Sequence, residues 1–285
     1  MKRGVYLYLI FIILVLLTAC AYKEDSNSLI KNENTSDDPK VETSIEDKEK
    51  NKDEEEISSG SDLDYQKEEK NEMEKPKYRV NPASFAIEPV NGSNENVVLL
   101  TIDDAPDKHA LEMAKILKQL NVQAIFFVNG HFLKTDEQKA VLKEIYEMGF
   151  MIGNHTMTHA NLKKLPKEKQ FEEIVKLNDL VEEIIGERPK FFRAPFGTNT
   201  DFSRQIALQE KMVLMNWTYG YDFMEQYMTK DALANMMVNT ELLRNGANLL
   251  MHDREWTKDA LKDIVTGLKN KGYEIVDPHA IETIQ

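Results

Sequence analysis

Two adjacent carboxylates, Asp103 and Asp104, close the run VVLLTIDDAP between Val97 and Pro106, and two imidazoles, His155 and His159, stand four residues apart in HTMTH. Side-by-side carboxylates repel one another, and keeping both ionised near a core calls for a cation or a basic partner. Histidine is the commonest ligand for such a cation, and a spacing of four puts both rings on one side of a helix or tight turn. A carboxylate as third ligand would leave an open position for water. Arg193, in RAPFG, cannot lose its charge and could orient one of the aspartates through a bidentate pair. His252, at the end of LLMHD, has the pKa range of a general acid. Each has a plainer reading. Asp104 and Asp107 could cap a helix starting near Pro106, Arg193 could be a surface residue before a Pro/Gly turn, and His252 could be structural.

What favours the chemical readings is where these residues fall. Val97–Ile102 reads as a buried strand, so the aspartates sit at its carboxyl end, where α/β folds place ligands. Apolar spacing predicts helices over Leu111–Leu120, Gln138–Met148, Lys167–Ile185, Asp201–Gln209, Lys230–Leu243 and Lys258–Lys269. In the third of these, Phe171, Ile174, Val175, Leu177, Val181 and Ile184 form the apolar set. Strands are expected at Ala124–Val128, Phe150–Gly153, before Arg193, and over Val213–Trp217, Asn248–Met251 and Tyr273–Val276. Strands alternating with helices imply parallel βαβ units. A closed or nearly closed barrel of about seven strands is the expected arrangement, with an open doubly wound sheet as the alternative.

The first 76 residues are of another kind. A basic start (Lys2, Arg3), an apolar run over Val5–Leu17 and small residues up to Cys20 have the order of a secretory signal, and the run is too short to span a bilayer comfortably. Leu17-Thr18-Ala19-Cys20 resembles a bacterial lipobox, which implies cleavage at residue 19 and lipid on Cys20. Cys20 is the chain's single cysteine, so no intrachain disulfide is available. Residues 20–76 carry 9 lysines against 19 acids, a net −10 of the chain's −13, and are expected to be a disordered acidic tether. Residues 77–96 read as an extended lead-in and 97–285 as the functional domain, with no basic face for nucleic acid and no obligate protein partner implied.

Taken in order, TIDDA, HTMTH, RAPFG and LMH resemble the polysaccharide deacetylase family, also called the NodB-homology or carbohydrate esterase family 4 domain. The likeness spans Val97 to about Val276. It implies an α/β fold, a distorted (β/α) barrel, removing N-acetyl groups from an amino-sugar polymer with a divalent metal, usually Zn2+, with Co2+, Mn2+ or Ni2+ as alternatives. It further implies Asp103 as general base, Asp104, His155 and His159 as metal ligands, Arg193 orienting Asp103, the Phe196 N–H at the oxyanion, and His252 as general acid. Two departures stand out. Ala105 replaces the family's usual glycine, and the motif of two acids and tryptophan is reduced to WTYGYDF, with Gly220 near the first acid, Phe223 for the tryptophan and Asp222 as the remaining acid beside His252. A lipid-anchored position on the outer face of the membrane makes peptidoglycan the expected substrate, with a chitin-like oligomer or an esterified polymer as alternatives, and the Lys/Ile/Asn/Glu-rich usage points to a Gram-positive bacterium. The alternative is a catalytically weak wall lipoprotein that binds metal and glycan. A transporter's binding protein would need two lobes, and a zinc peptidase of the usual kind a His-Glu-x-x-His motif that the chain lacks.

Overall fold

The computed structural model describes residues 75–285; the signal segment 1–19, Cys20 and the tether up to residue 74 lie outside the described residues. A short antiparallel pair, β1 (Tyr78–Val80) and β2 (Ile87–Pro89), occupies the lead-in. The central strand β3 (Val97–Ala105) follows, then α1 (Ala110–Gln119), β4 (Ile125–Val128), α2 (Asp136–Glu147), β5 (Met151–Asn154), α3 (Lys167–Ile185) and β6 (Phe191–Phe192). The chain continues through α4 (Asp201–Gln209), β7 (Val213–Leu214), β8 (Tyr219–Gly220), α5 (Lys230–Asn239), β9 (Ala247–His252), α6 (Glu255–Asn270) and β10 (Glu274–Ile275).

Seven strands form one curled, parallel path in the order β7-β6-β5-β4-β3-β9-β8. β10 pairs with Val97 and Val98, on the edge of β3 that β4 occupies farther along. Among the described residues β7 and β8 do not pair, so the barrel is incomplete. The chain itself spans the opening. Met215 N–H donates to Phe192 O on one side, and Thr218 N–H to Asn248 O on the other. The strand expected over Val213–Trp217 therefore breaks after Leu214, because its continuation crosses from β6 to β9.

Side-chain alternation along β3 divides the core. Val98, Leu100 and Ile102 face outward beneath the helices, with Met113, Leu142 and Ile264, while Val97 and Leu99 face inward with Phe127, Phe191 and Met215. The same period carries Thr101 and Asp103 inward. Ile87 and Tyr78 of the β1/β2 pair join the inner cluster, and Ile87 N–H donates to Gly246 O, so apolar packing fills the amino-terminal end of the barrel and leaves polar residues at the carboxyl end. α3 has the expected bounds but not the whole expected face: Ile174, Leu177 and Val181 are buried, whereas Phe171 is 48% exposed and its place inside goes to Gln170 and Asn178.

Candidate active site

Strand register brings the first pair of groups together. Asp103 on β3 lies opposite His252 on β9, and Asp253 N–H donates to Asp103 O. Asp103 is buried, and its Oδ1 accepts from Arg193 Nη1 at 2.6 Å. Arg193 follows β6 and is fully buried, so each of its donors needs a partner. Nη1 also reaches Thr101 Oγ1 at 2.8 Å, Nη2 donates to Asn216 O at 2.9 Å, and the guanidinium lies 4.2 Å from the Phe127 ring centre. That ring has room only because residue 153 is glycine: a Cβ there would stand 2.5 Å from it. Removing one member of such a buried pair leaves an uncompensated charge at a cost of about 3–5 kcal/mol.

His155 and His159 sit in a turn after β5 rather than in a helix, with left-handed backbone at Thr156 (φ 71) and His159 (φ 58). Polar groups buried by α3 hold that turn. Asn154 Nδ2 donates to Asn178 Oδ1 at 2.7 Å and to Ile174 O, while its oxygen accepts from Thr156 N–H. His155 Nδ1 lies 2.7 Å from Arg193 O, an acceptor only, so Nδ1 carries the hydrogen and the Nε2 lone pair faces the site. Burial pushes the pKa values of both imidazoles down against the pull of Asp104 and Asp103, which favours their neutral, ligating forms. Asp104 Oδ1 lies 3.4 Å from His159 Nε2 and 3.9 Å from His155 Nε2, and one ligand atom from each residue falls within 4.8 Å of the others. Burial opposes ionisation of Asp104, but His155, His252, His159 and Arg254 together hold its carboxyl below the usual range. A carboxylate and two neutral imidazoles on one side of a cavity are a donor set that fits a divalent cation.

Across the cavity, Asp222 is fully buried and accepts from His252 N–H at 2.6 Å, from Thr257 Oγ1 at 2.8 Å and from His252 Nδ1 at 2.7 Å. Since Nδ1–H is donated, Nε2 is left for the cavity. Burial pulls the pKa of this imidazole down, yet Asp222, with Asp103 and Asp104 behind it, raises it above the ordinary value. Phe223 stands 5.9 Å from the His252 ring. At Gly220 a Cβ would meet Leu250 O at 2.5 Å, so β8 lies too close to β9 for any acid at that position. Phe196 adopts φ 58 in the turn after Arg193; its ring packs edge-on to His159 at 4.8 Å and is 63% exposed.

The cavity measures about 490 Å3, within the range of small-molecule sites. Besides the groups named above, Trp217, Met228 and Trp256 line it, and Trp256 Nε1 donates to Asp222 O at 2.8 Å. No motif in the sequence marks Met228, Trp256 or Arg254, whose Nη2 donates to Asp104 Oδ2 at 2.7 Å. Adjacency to His252 was the available signal for Arg254 and Trp256.

Residues 91–215 match the family model of polysaccharide deacetylase. A peptidoglycan-N-acetylglucosamine deacetylase of Bacillus cereus is 33% identical over 220 residues, covering 72% of this chain and 77% of the relative. The uncharacterised protein YlxY of Bacillus subtilis is 31% identical over 195 residues, 67% of this chain, and the chain spans 60% of its length. Among solved structures, BA3943 of Bacillus anthracis, described as a carbohydrate esterase family 4 pseudoenzyme, superposes with a TM-score of 0.59 at 30% identity, over 64% of this chain and 63% of that one. A mutant of BA3943 with restored enzymatic activity gives the same TM-score at 32% identity, over 64% of this chain and 65% of that one. Fold, ordered motifs and relatives agree, and the chain belongs to the polysaccharide deacetylase family.

Proposed function

We propose that the protein is a metal-dependent hydrolase that removes N-acetyl groups from an extracellular amino-sugar polymer, with peptidoglycan as the substrate. The observation that carries this reading is that ligand atoms of Asp104, His155 and His159 lie within 4.8 Å of one another, in a cavity also lined by Asp103, which Arg193 holds, and by His252, which Asp222 holds. Asp104, His155 and His159 would hold the cation. A divalent ion there acts as a Lewis acid toward the acetamide carbonyl and makes water a stronger nucleophile. Zinc suits two imidazoles and a carboxylate, and Co2+, Mn2+ or Ni2+ could occupy the same donors.

The protein's own groups divide the proton transfers. Asp103, oriented by Arg193, accepts the proton of the attacking water. The N–H of Phe196, in the turn after Arg193, serves in this reading as the donor to the developing oxyanion. His252 gives its Nε2 proton to the departing amine while Asp222 stabilises the imidazolium through Nδ1. Acetate and a free amino sugar leave. Trp217, Phe223 and Trp256 supply the apolar faces against which a sugar ring can pack.

The likeness to BA3943 favours a second reading, a catalytically weak member that holds metal and glycan in the wall. In either reading we propose lipid anchoring on Cys20 at the outer face of the membrane, which the signal-like segment and the likeness of Leu17–Cys20 to a lipobox support. The metal assignment is tested by elemental analysis. His155→Ala and His159→Ala should lose most of their bound metal, whereas Asp103→Asn should keep it and lose turnover. Wild-type stoichiometry in both histidine variants would remove the assignment.

A further inference from the structure

Arg254 has no part in the proton transfers above, although it lines the same cavity. It divides the surroundings of Asp104. Oδ1 of that carboxylate is the oxygen near His159 and His155, at 3.4 and 3.9 Å, while Oδ2 accepts from Arg254 Nη2 at 2.7 Å. Nη1 of the same guanidinium donates to Asp253 O at 2.9 Å, so the group is held at two points. Asp253 is buried in turn and accepts from the N–H groups of Asp107 at 2.7 Å, Lys108 at 3.1 Å and His109 at 2.6 Å, tying the turn after β9 to the loop after β3. Asp104 itself adopts φ 60, a left-handed conformation that a non-glycine residue keeps only when its surroundings impose it.

We propose that Arg254 is a positioning residue for Asp104: by occupying Oδ2 it leaves Oδ1 facing the two imidazoles, and so sets how tightly the triad holds a divalent cation. The inference rests on the metal reading given above. Two effects of the guanidinium oppose each other. Its charge repels a cation, but its side chain is 35% exposed, so solvent and salt screen that repulsion. Its hydrogen bond acts at short range on the one anionic ligand, and a carboxylate turned away from the imidazoles is a ligand lost. Positioning therefore outweighs repulsion.

Cobalt titration of the full-length chain separates the two, with affinity measured by chelator competition and the ligand set by visible absorption. Arg254→Met should weaken Co2+ binding about 10–100-fold and alter the spectrum, as loss of a hydrogen bond to a ligating carboxylate does in other metal sites. Arg254→Gln, which keeps an N–H donor without the charge, should recover a large part of that loss, and it carries the test if the methionine variant does not fold. Unchanged affinity in Arg254→Met, or tighter binding in both variants, would overturn the proposal. Failure of the wild-type chain to take up Co2+ would instead overturn the metal reading itself.

Discussion

At the scale of single residues, the site depends on neighbours that fix which atom of each functional group is free. His155 presents Nε2 because Nδ1–H is donated to Arg193 O, and His252 presents Nε2 because Nδ1–H is donated to Asp222. For His252 the partner also sets the charge. Asp222 raises the pKa of the imidazole against the downward pull of burial, so it extends to higher pH the range in which His252 carries the proton that the proposed mechanism gives to the amine. Asp222→Asn removes that negative charge and lowers the pKa. The alkaline limb of the pH–rate profile should then move to lower pH, with turnover reduced and metal content unchanged. His252→Ala should cost more, since the donor itself is gone, on the order of the 10²–10⁴-fold worth of general acid catalysis. The double variant should lose clearly less than the product of the two single losses, because groups that act as a unit do not add. A multiplicative loss would mean that the two residues act independently.

At the scale of elements, what was legible in the sequence was whatever is written as a continuous apolar run or a long period. β3, β4, α3 and α4 were readable for that reason, with the bounds of α3 and α4 found as expected. The ordered motifs were legible as well, because TIDDA and LMH close strands and HTMTH and RAPFG follow them. What was hidden depends on contacts through space. β8 is two residues long and exists because β9 offers it an edge, so no pattern in WTYGYDF announces it. The apolar face of α3 excludes Phe171 and buries Asn178 because Asn154, beneath it, needs an acceptor to hold the turn of His155. Gly220 looked like an eroded acid of a motif, whereas its cause is the close approach of Leu250. Arg254 shows the same limit: in the chain it stands two residues after His252, but its partner Asp104 is 150 residues away on β3.

At the scale of the whole molecule, charge is divided unevenly along the chain. Of the formal charge of −13, a net −10 lies in residues 20–76, which leaves residues 77–285 only mildly acidic. A lipid on Cys20 would keep those residues near the membrane while the tether gives them reach. Cys20→Ala should abolish incorporation of a labelled fatty acid, and undiminished labelling would contradict the anchor. The central claim, hydrolysis of an N-acetylated wall glycan by a metal held on Asp104, His155 and His159, is tested most directly by products. Purified full-length protein is incubated with peptidoglycan, and acetate and new free amines are counted before chelation, after chelation and after zinc is restored. Acetate and amine should appear in equal amounts, be lost with the metal, return with zinc, and be absent from Asp103→Asn even when that variant is metal-loaded. A metal-loaded wild-type chain that binds the glycan and releases no acetate would contradict it.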